Sequence, residues 1–135
     1  MKKLLALIVF CLVFTPPIVR AEWVYSGANS SGTDSYFDLD SIRNSKGKIS
    51  AWVLYNYNPH LKNSPEVLSL KELLVIDCDF FSFRSLTSQF FSEHDGYGEN
   101  IETYNDFPEK IQYAAPESQI YGQLKMICDH VENKM

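Results

Sequence analysis

The 135-residue sequence lacks the residue patterns on which most predictions of catalysis or cofactor binding depend. It has only three cysteines, and no two of them show the Cys-x-x-Cys spacing of a thiol redox centre. A glycine-rich phosphate loop, a calcium-binding loop and a nucleophile-elbow serine are also absent from the sequence. The sequence therefore predicts neither a bound cofactor nor an enzyme, and catalysis ranks last among the functions considered.

Long apolar runs are absent except at the N-terminus, where the pattern is typical of an export signal. Lys2 and Lys3 precede an apolar run from Leu4 to Phe14, and Val19-Arg20-Ala21 supplies small residues for cleavage. We predict a signal peptide over residues 1–21, cleaved after Ala21, and one mature domain over residues 22–135. The run is short for a membrane span, so no integral membrane segment is expected after cleavage.

Basic residues are outnumbered, with 12 Lys and Arg against 17 Asp and Glu and a net charge of −5. Three of the basic residues lie in the predicted signal peptide, which has no acidic residue, so the mature charge is −8. An acidic surface repels phosphate backbones and anionic lipids. Nucleic acid and anionic membrane surfaces are therefore not expected partners.

Two cysteines remain in the predicted mature chain, Cys78 and Cys128. An even cysteine count in an exported protein is typical of a structural disulfide, and a redox-active pair is the weaker alternative. Cys11 lies in the predicted signal peptide after Phe10, whereas lipoprotein signals need a small residue there. The sequence therefore favours a Cys78–Cys128 disulfide and a chain without a lipid anchor.

Alternating apolar and polar residues predict a sheet organised around Val67–Phe83, the longest apolar stretch outside the N-terminus. The clearest alternation is in Ile49–Tyr57, where Ile49, Ala51, Val53, Tyr55 and Tyr57 share one face. The six predicted strands are Glu22–Ala28, Ser35–Ile42, Ile49–Tyr57, Val67–Phe83, Arg84–Glu93 and Ile101–Tyr104. Between them we expect loops at Arg43–Lys48, Asn58–Glu66 and His94–Asn100, followed by an irregular segment, Asn105–Ala115.

One helix is predicted, over Ser118–Val131. Its apolar stripe at helical spacing consists of Ile120, Leu124, Ile127, Cys128 and Val131. Because Cys128 lies on this stripe, the disulfide should join the buried face of the helix to the Val67–Phe83 strand. Pro116 and Ser118 both suit a helix start, and the sequence does not decide which residue caps it.

Chemically reactive side chains are present but do not form a recognisable site. His60, His94 and His130 are in or beside polar segments, where histidine is usually solvated. In Cys128-Asp129-His130 the neighbours point in different directions on a helix, which disfavours a Cys/His pair. Carboxylate and imidazole groups that could bind a metal ion are present in Asp77, Asp79, His94 and Asp95, but without the tight ligand spacing of a metal site. No metal site is predicted.

Tyrosine is abundant, with eight residues in the chain, and some should be exposed. Exposed tyrosines are frequent anchors of protein-binding surfaces, whereas a core role is the alternative. Several lie next to predicted loops, and the candidate protein-binding residues are Tyr55, Tyr57, Tyr97 and Tyr104.

The ordered set of residues in the predicted mature domain resembles the surface-adhesin protein E family of small exported bacterial domains. The residues that carry the resemblance are Trp23, Tyr36, Asp38, Ser41-Ile42, Trp52, Ser69, Lys71, Asp77-Cys78, Pro116, Ser118 and Cys128. The resemblance implies an α+β fold, an antiparallel sheet of about six strands with a C-terminal helix joined to it by the Cys78–Cys128 bond. The chain departs from the family pattern at Glu117, where a glycine is expected.

The resemblance also implies a function, because the adhesin that names the family binds host proteins such as vitronectin, laminin and plasminogen and can dimerise. We therefore expect an exported, non-enzymatic module that binds a host matrix or serum protein and that can form a homodimer. The alternative is a periplasmic accessory or inhibitor protein with a partner in the bacterial envelope. Without the lipid anchor of the family adhesins, a periplasmic or released protein is favoured over surface display.

Overall fold

The computed structural model describes residues 16–17, 20–60, 66–105 and 108–134, so most of the predicted signal peptide lies outside the described residues. The described strands are β1 Trp23–Ala28, β2 Asp34–Asp38, β3 Arg43–Ser45, β4 Lys48–Asn56, β5 Ser69–Asp77, β6 Ser82–Phe91, β7 Asn100–Tyr104 and β8 Gln112–Tyr113, and the helix is α1 Gln119–Lys134. Among these residues, no helix is long and apolar enough to cross a bilayer.

The strands form one antiparallel sheet in the order β1-β2-β4-β5-β6-β7. The two short strands extend it at its ends, since β3 pairs with the start of β4 and β8 pairs with the start of β6. The fold is therefore the predicted α+β arrangement, with two short strands added to the predicted six.

Strand β4 confirms the face assignment made from alternation. Ile49, Ala51 and Val53 are at most 3% exposed and belong to the core, whereas Trp52 lies on the opposite face and is partly exposed. On β5 the neighbouring core residues are Leu74 and Ile76. We call the face that carries these core residues the covered face, because α1 packs on it, and the other the open face.

The single strand predicted over Val67–Phe83 is wrong, because the chain reverses direction within it. Strand β5 ends at Asp77, four residues form a turn, and β6 begins at Ser82. The Asp77 carboxylate accepts a hydrogen bond from the Asp79 backbone N–H at 3.1 Å, which favours a turn. Phe81 then adopts φ 49°, a left-handed conformation that reverses the chain within an apolar run.

The structure differs from the sequence prediction in two further, mostly polar segments. The predicted loop Arg43–Lys48 contains β3 and is a tight hairpin. The segment expected to be irregular contains β8, whose two residues pair with β6. In both places pairing with a neighbouring strand overrides a local sequence that is rich in turn-forming residues.

The C-terminal helix confirms the predicted apolar stripe and extends three residues beyond the predicted end. Leu124, Ile127 and Cys128 are buried, and Ile120 and Val131 pack against the same core. Ser118 precedes the helix, and its hydroxyl accepts a hydrogen bond from the Tyr121 backbone N–H at 3.2 Å. Ser118 is therefore the capping residue that the sequence left undecided.

A disulfide joins Cys78 to Cys128 with a Cα–Cα distance of 5.8 Å. It ties the turn after β5 to the buried face of α1, as predicted. Gln123, fully buried on the same helix, adds a polar tie, because its amide nitrogen donates to the Tyr36 carbonyl at 3.0 Å. The helix is thus fixed to the sheet both covalently and by hydrogen bonding.

Candidate protein-binding edge of the sheet

Strand β7 forms an edge of the sheet. All five of its residues are exposed, and within the described part of the chain β7 pairs only with β6. Among the described residues no further strand lies on its outer side, which is the arrangement that strand addition requires.

Large apolar side chains are exposed along this same edge. Most of the exposed large hydrophobic residues lie on or next to β7 and β8, and we call five of them the edge surface: Tyr97, Ile101, Tyr104, Ile111 and Tyr113. Tyr97 is 66% exposed and Tyr113 is 71% exposed. Exposed tyrosine and isoleucine side chains on an open strand edge are suited to contact another protein.

The Tyr104 ring is held by two neighbours. Its centroid lies 6.0 Å from that of Phe90 on β6, in an edge-to-face arrangement. Its hydroxyl donates a hydrogen bond to the Glu102 carboxylate, and this bond raises the pKa of Tyr104. The strand thus presents an aromatic ring next to a carboxylate, a combination that favours a partner with basic and apolar side chains.

Tyr97 is presented by a connection between β6 and β7 that is pinned to the open face. The Ser69 hydroxyl donates to the Glu93 carbonyl at 2.5 Å and accepts from the Gly96 N–H at 3.0 Å. Gly96 has φ 73°, a conformation that favours glycine, and a Cβ there would lie 2.1 Å from the Lys71 Cε, so the lysine side chain would have to move. Because this connection is held in place, ordering it on binding would cost little.

The four tyrosines named from sequence lie in two different environments. Tyr97 and Tyr104 are on the edge surface. Tyr55 lies under α1 and donates to the Gln123 side-chain oxygen at 2.8 Å, and burial raises its pKa, with a further contribution from Glu72. Tyr57 is partly exposed, and burial raises its pKa too. The structure therefore places Tyr97 and Tyr104 at the exposed edge of the sheet and Tyr55 under the helix.

Two of the side chains that the sequence suggested as possible metal ligands, Asp77 and His94, lie within hydrogen-bonding distance of other groups of the domain. Asp77 accepts from the Lys48 ammonium at 2.9 Å, and this hydrogen bond lowers the pKa of Asp77. The His94 ring nitrogen lies 2.9 Å from the Tyr57 carbonyl. Among the described residues, no group of three or more His, Cys, Asp or Glu side chains is placed to hold a metal ion.

Three residues of the edge surface, Ile101, Ile111 and Tyr113, were not among the sequence candidates. Ile111 and Tyr113 lie in a segment expected to be irregular, and their exposure depends on β8 pairing with β6. The available signal was an apolar pair, Ile111 and Tyr113, separated by one polar residue in a short segment between prolines.

These features define a small α+β domain with one face stabilised by a disulfide-linked helix and an exposed aromatic edge. The sequence matches the family described as surface-adhesin protein E over residues 23–129. The chain therefore belongs to the surface-adhesin protein E family, and the resemblance described above is confirmed. A comparison with curated protein sequences found no match.

Solved structures of Haemophilus influenzae protein E have the same fold. Crystal form II matches with a TM-score of 0.58 and 17% identity, over 87% of this chain and 94% of that chain. The structure of protein E from non-typeable Haemophilus influenzae matches with a TM-score of 0.55 and 16% identity, over 90% and 84% of the two chains. At this level of identity the likeness concerns the fold alone.

Proposed function

We propose that this chain is an exported, non-enzymatic protein-binding module, and that the edge surface binds an extended segment of a host matrix or serum protein. Membership of an adhesin family supports a protein partner. The observation that carries the proposal is the open outer side of β7 with Ile101 and Tyr104 exposed on it. The partner would add a strand to β7 while its side chains contact these residues.

The charges of the edge favour a basic partner segment. Glu102 lies on β7 and Glu99 just before it, and the chain as a whole is acidic. A partner with lysine or arginine opposite these two positions would place the basic side chains against the carboxylates. The same open edge would allow two copies of the chain to pair, which is the expected homodimer.

The proposal is tested by measuring binding of the mature chain to immobilised vitronectin, laminin and plasminogen. The variant carries Ile101→Ala and Tyr104→Ala, and the matched control carries Met126→Ala, because Met126 on α1 is as exposed as Ile101 (39% and 40%). We expect at least tenfold weaker binding for the edge variant and no change for the control. Equal affinity of the edge variant and the parent would overturn the proposal.

Location in the cell is tested separately, by fractionation and by labelling of intact cells. We propose that the chain leaves the cytoplasm with residues 1–21 removed, and mass spectrometry of the mature protein measures the cleavage site. Surface or released protein agrees with host binding. Protein confined to the periplasm would instead favour a partner in the bacterial envelope.

A further inference from the structure

A cleft of about 230 Å³ opens on the open face, away from α1 and from the edge surface. It is lined by Ala21, which the proposed cleavage removes, and by five residues of the mature chain that we call the indole cleft: Trp23, Asp38, Trp52, Lys71 and Gln89. In the sheet ladders Trp23 lies opposite Asp38, and Lys71 lies opposite Gln89. The cleft holds both tryptophans of the chain.

Lys71 has a fixed position in this cleft. Its ammonium lies 5.6 Å from the centroid of the Trp23 ring and 5.4 Å from that of Phe91. Its stem packs under Gly96, where there is no room for a Cβ. The ion pairs of the described residues are Lys48–Asp77 and Lys125–Asp129. Lys71 is therefore a partly buried cation that has aromatic partners but, among the described residues, no carboxylate partner.

The other polar groups of the cleft supply acceptors and donors. One oxygen of Asp38 accepts from the Glu22 N–H at 3.1 Å and from the Asp40 N–H at 3.0 Å, which fixes the carboxylate and leaves its second oxygen for a ligand. Within the described residues, the Gln89 amide and the Trp52 indole N–H make no hydrogen bond. No buried side-chain nitrogen or oxygen lacks a partner there, so these groups are accessible to water.

This combination of groups matches the chemistry of a sugar ring. A pyranose has an apolar C–H face that packs on an indole ring, and its hydroxyl groups both donate and accept hydrogen bonds. Lys71 already lies over the Trp23 ring, which leaves Trp52 as the stacking surface. At about 230 Å³ the cleft is small, so it suits one sugar unit rather than an oligosaccharide.

We propose that the indole cleft binds one acidic sugar residue, a hexuronate unit of a glycan. The carboxylate of the sugar pairs with the Lys71 ammonium, its hydroxyl groups bond to Asp38 and Gln89, and its ring packs on Trp52. Both charged groups are already held in place, so little side-chain ordering opposes binding. The cleft and the edge surface share no residue, and they approach each other only where Lys71 packs under Gly96, next to Tyr97.

The test uses trigalacturonate as the acidic probe and maltotriose as the neutral probe, with a tri-glutamate peptide as a third arm. The two indole N–H resonances in a proton–nitrogen NMR spectrum report on the cleft, because both tryptophans line it. We expect trigalacturonate to shift both resonances and to bind at least tenfold more tightly than maltotriose. The tri-glutamate peptide should not bind, since it has no ring to stack.

Variants then separate a specific site from general charge attraction. Lys71→Met keeps the length of the stem and should weaken trigalacturonate binding at least tenfold, to the level of maltotriose. Arg84→Met is the matched control, since Arg84 lies on the neighbouring strand β6, opposite Val75 on the open face and outside the cleft. The Arg84→Met variant should change the affinity for trigalacturonate less than twofold. Gln89→Ala removes no internal hydrogen bond of the side chain and should weaken trigalacturonate binding severalfold.

Three results would overturn the proposal. They are equal affinities for the acidic and neutral sugars, an equal loss in Lys71→Met and Arg84→Met, and binding of the peptide as tight as that of the sugar. Ile101→Ala with Tyr104→Ala should leave sugar binding unchanged. This double variant therefore distinguishes failure of the cleft from failure of the edge surface.

Discussion

The two faces of the sheet are built from the same strands but have different roles. On β4, Val53 is fully buried under α1, whereas its neighbour Trp52 lies in a cleft open to solvent. On β5, Leu74 belongs to the core, and Lys71 lies on the open face with its charge accessible. The alternation of side chains along a strand thus separates stability on the covered face from recognition on the open face.

The covered face depends on the helix, and the helix depends on one covalent bond and a few buried contacts. The open face has no α-helix over it within the described residues, and the connection between β6 and β7 covers one end of it. Substitutions on the covered face should therefore change the free energy of unfolding, and those at the exposed positions of the open face and the edge should change binding.

The largest effect is expected from removing the disulfide with Cys78→Ser and Cys128→Ser together. The two residues are 50 positions apart, and closing a loop of that length is worth about 4 kcal/mol in the chain-entropy description. Urea unfolding should show a loss of about that size, and the parent under reducing conditions should match the variant. An unchanged midpoint in both would contradict a stabilising role for the bond.

A pair of valines on opposite faces of the sheet compares how much each face contributes to the free energy of unfolding. Val53 on β4 is 0% exposed on the covered face, and Val75 on β5 is partly exposed on the open face. Val53→Ala removes two buried carbons and leaves a cavity, so we expect a loss of about 2 kcal/mol. Val75→Ala should cost less than about 1 kcal/mol, because its side chain is already partly solvated.

Urea unfolding of the two valine variants, with the slope of the transition compared as well as its midpoint, checks this difference. Similar losses at the two positions would mean that the open face is covered in solution. The homodimer is then the first explanation to examine, by size exclusion at several protein concentrations.

Much of the covered face could be predicted from the sequence, because burial there follows the strand and helix periods. The stripe on α1 and the face of β4 were correct, and the alternation in β4 already placed Tyr55 with Ala51 and Val53. The burial of Tyr55 was therefore available in the pattern, although its partner Gln123, 68 residues away, was not.

The edge and the indole cleft could not be predicted in the same way. Whether a strand is central or at an edge depends on which strands pair across the chain, and local patterns do not contain this information. The cleft brings together Trp23, Trp52 and Lys71 from three strands, and only the register of the sheet shows that they meet. The turn after Asp77 was missed because it interrupts an apolar run without glycine or proline.

The smallest effect is expected at Glu117, where the family resemblance implies a glycine. Glu117 has φ 66°, a left-handed conformation just before the cap of α1, and its side chain is exposed. A residue with a Cβ costs roughly 1–2 kcal/mol in this conformation, and glycine avoids this cost. The glycine expected from the family thus has a physical reason, and this chain holds the same backbone angle without it.

Glu117→Gly should therefore stabilise the protein, by less than about 1 kcal/mol, because the greater freedom of glycine in the unfolded chain offsets part of the gain. Glu117→Ala is the control, since it removes the carboxylate but keeps the Cβ and should leave the unfolding midpoint unchanged. Thermal and urea unfolding of both variants measure the difference. If alanine stabilises the protein as much as glycine does, the loss of stability at this position comes from the charge of Glu117 before the helix. The left-handed backbone conformation at the start of α1 is then not strained.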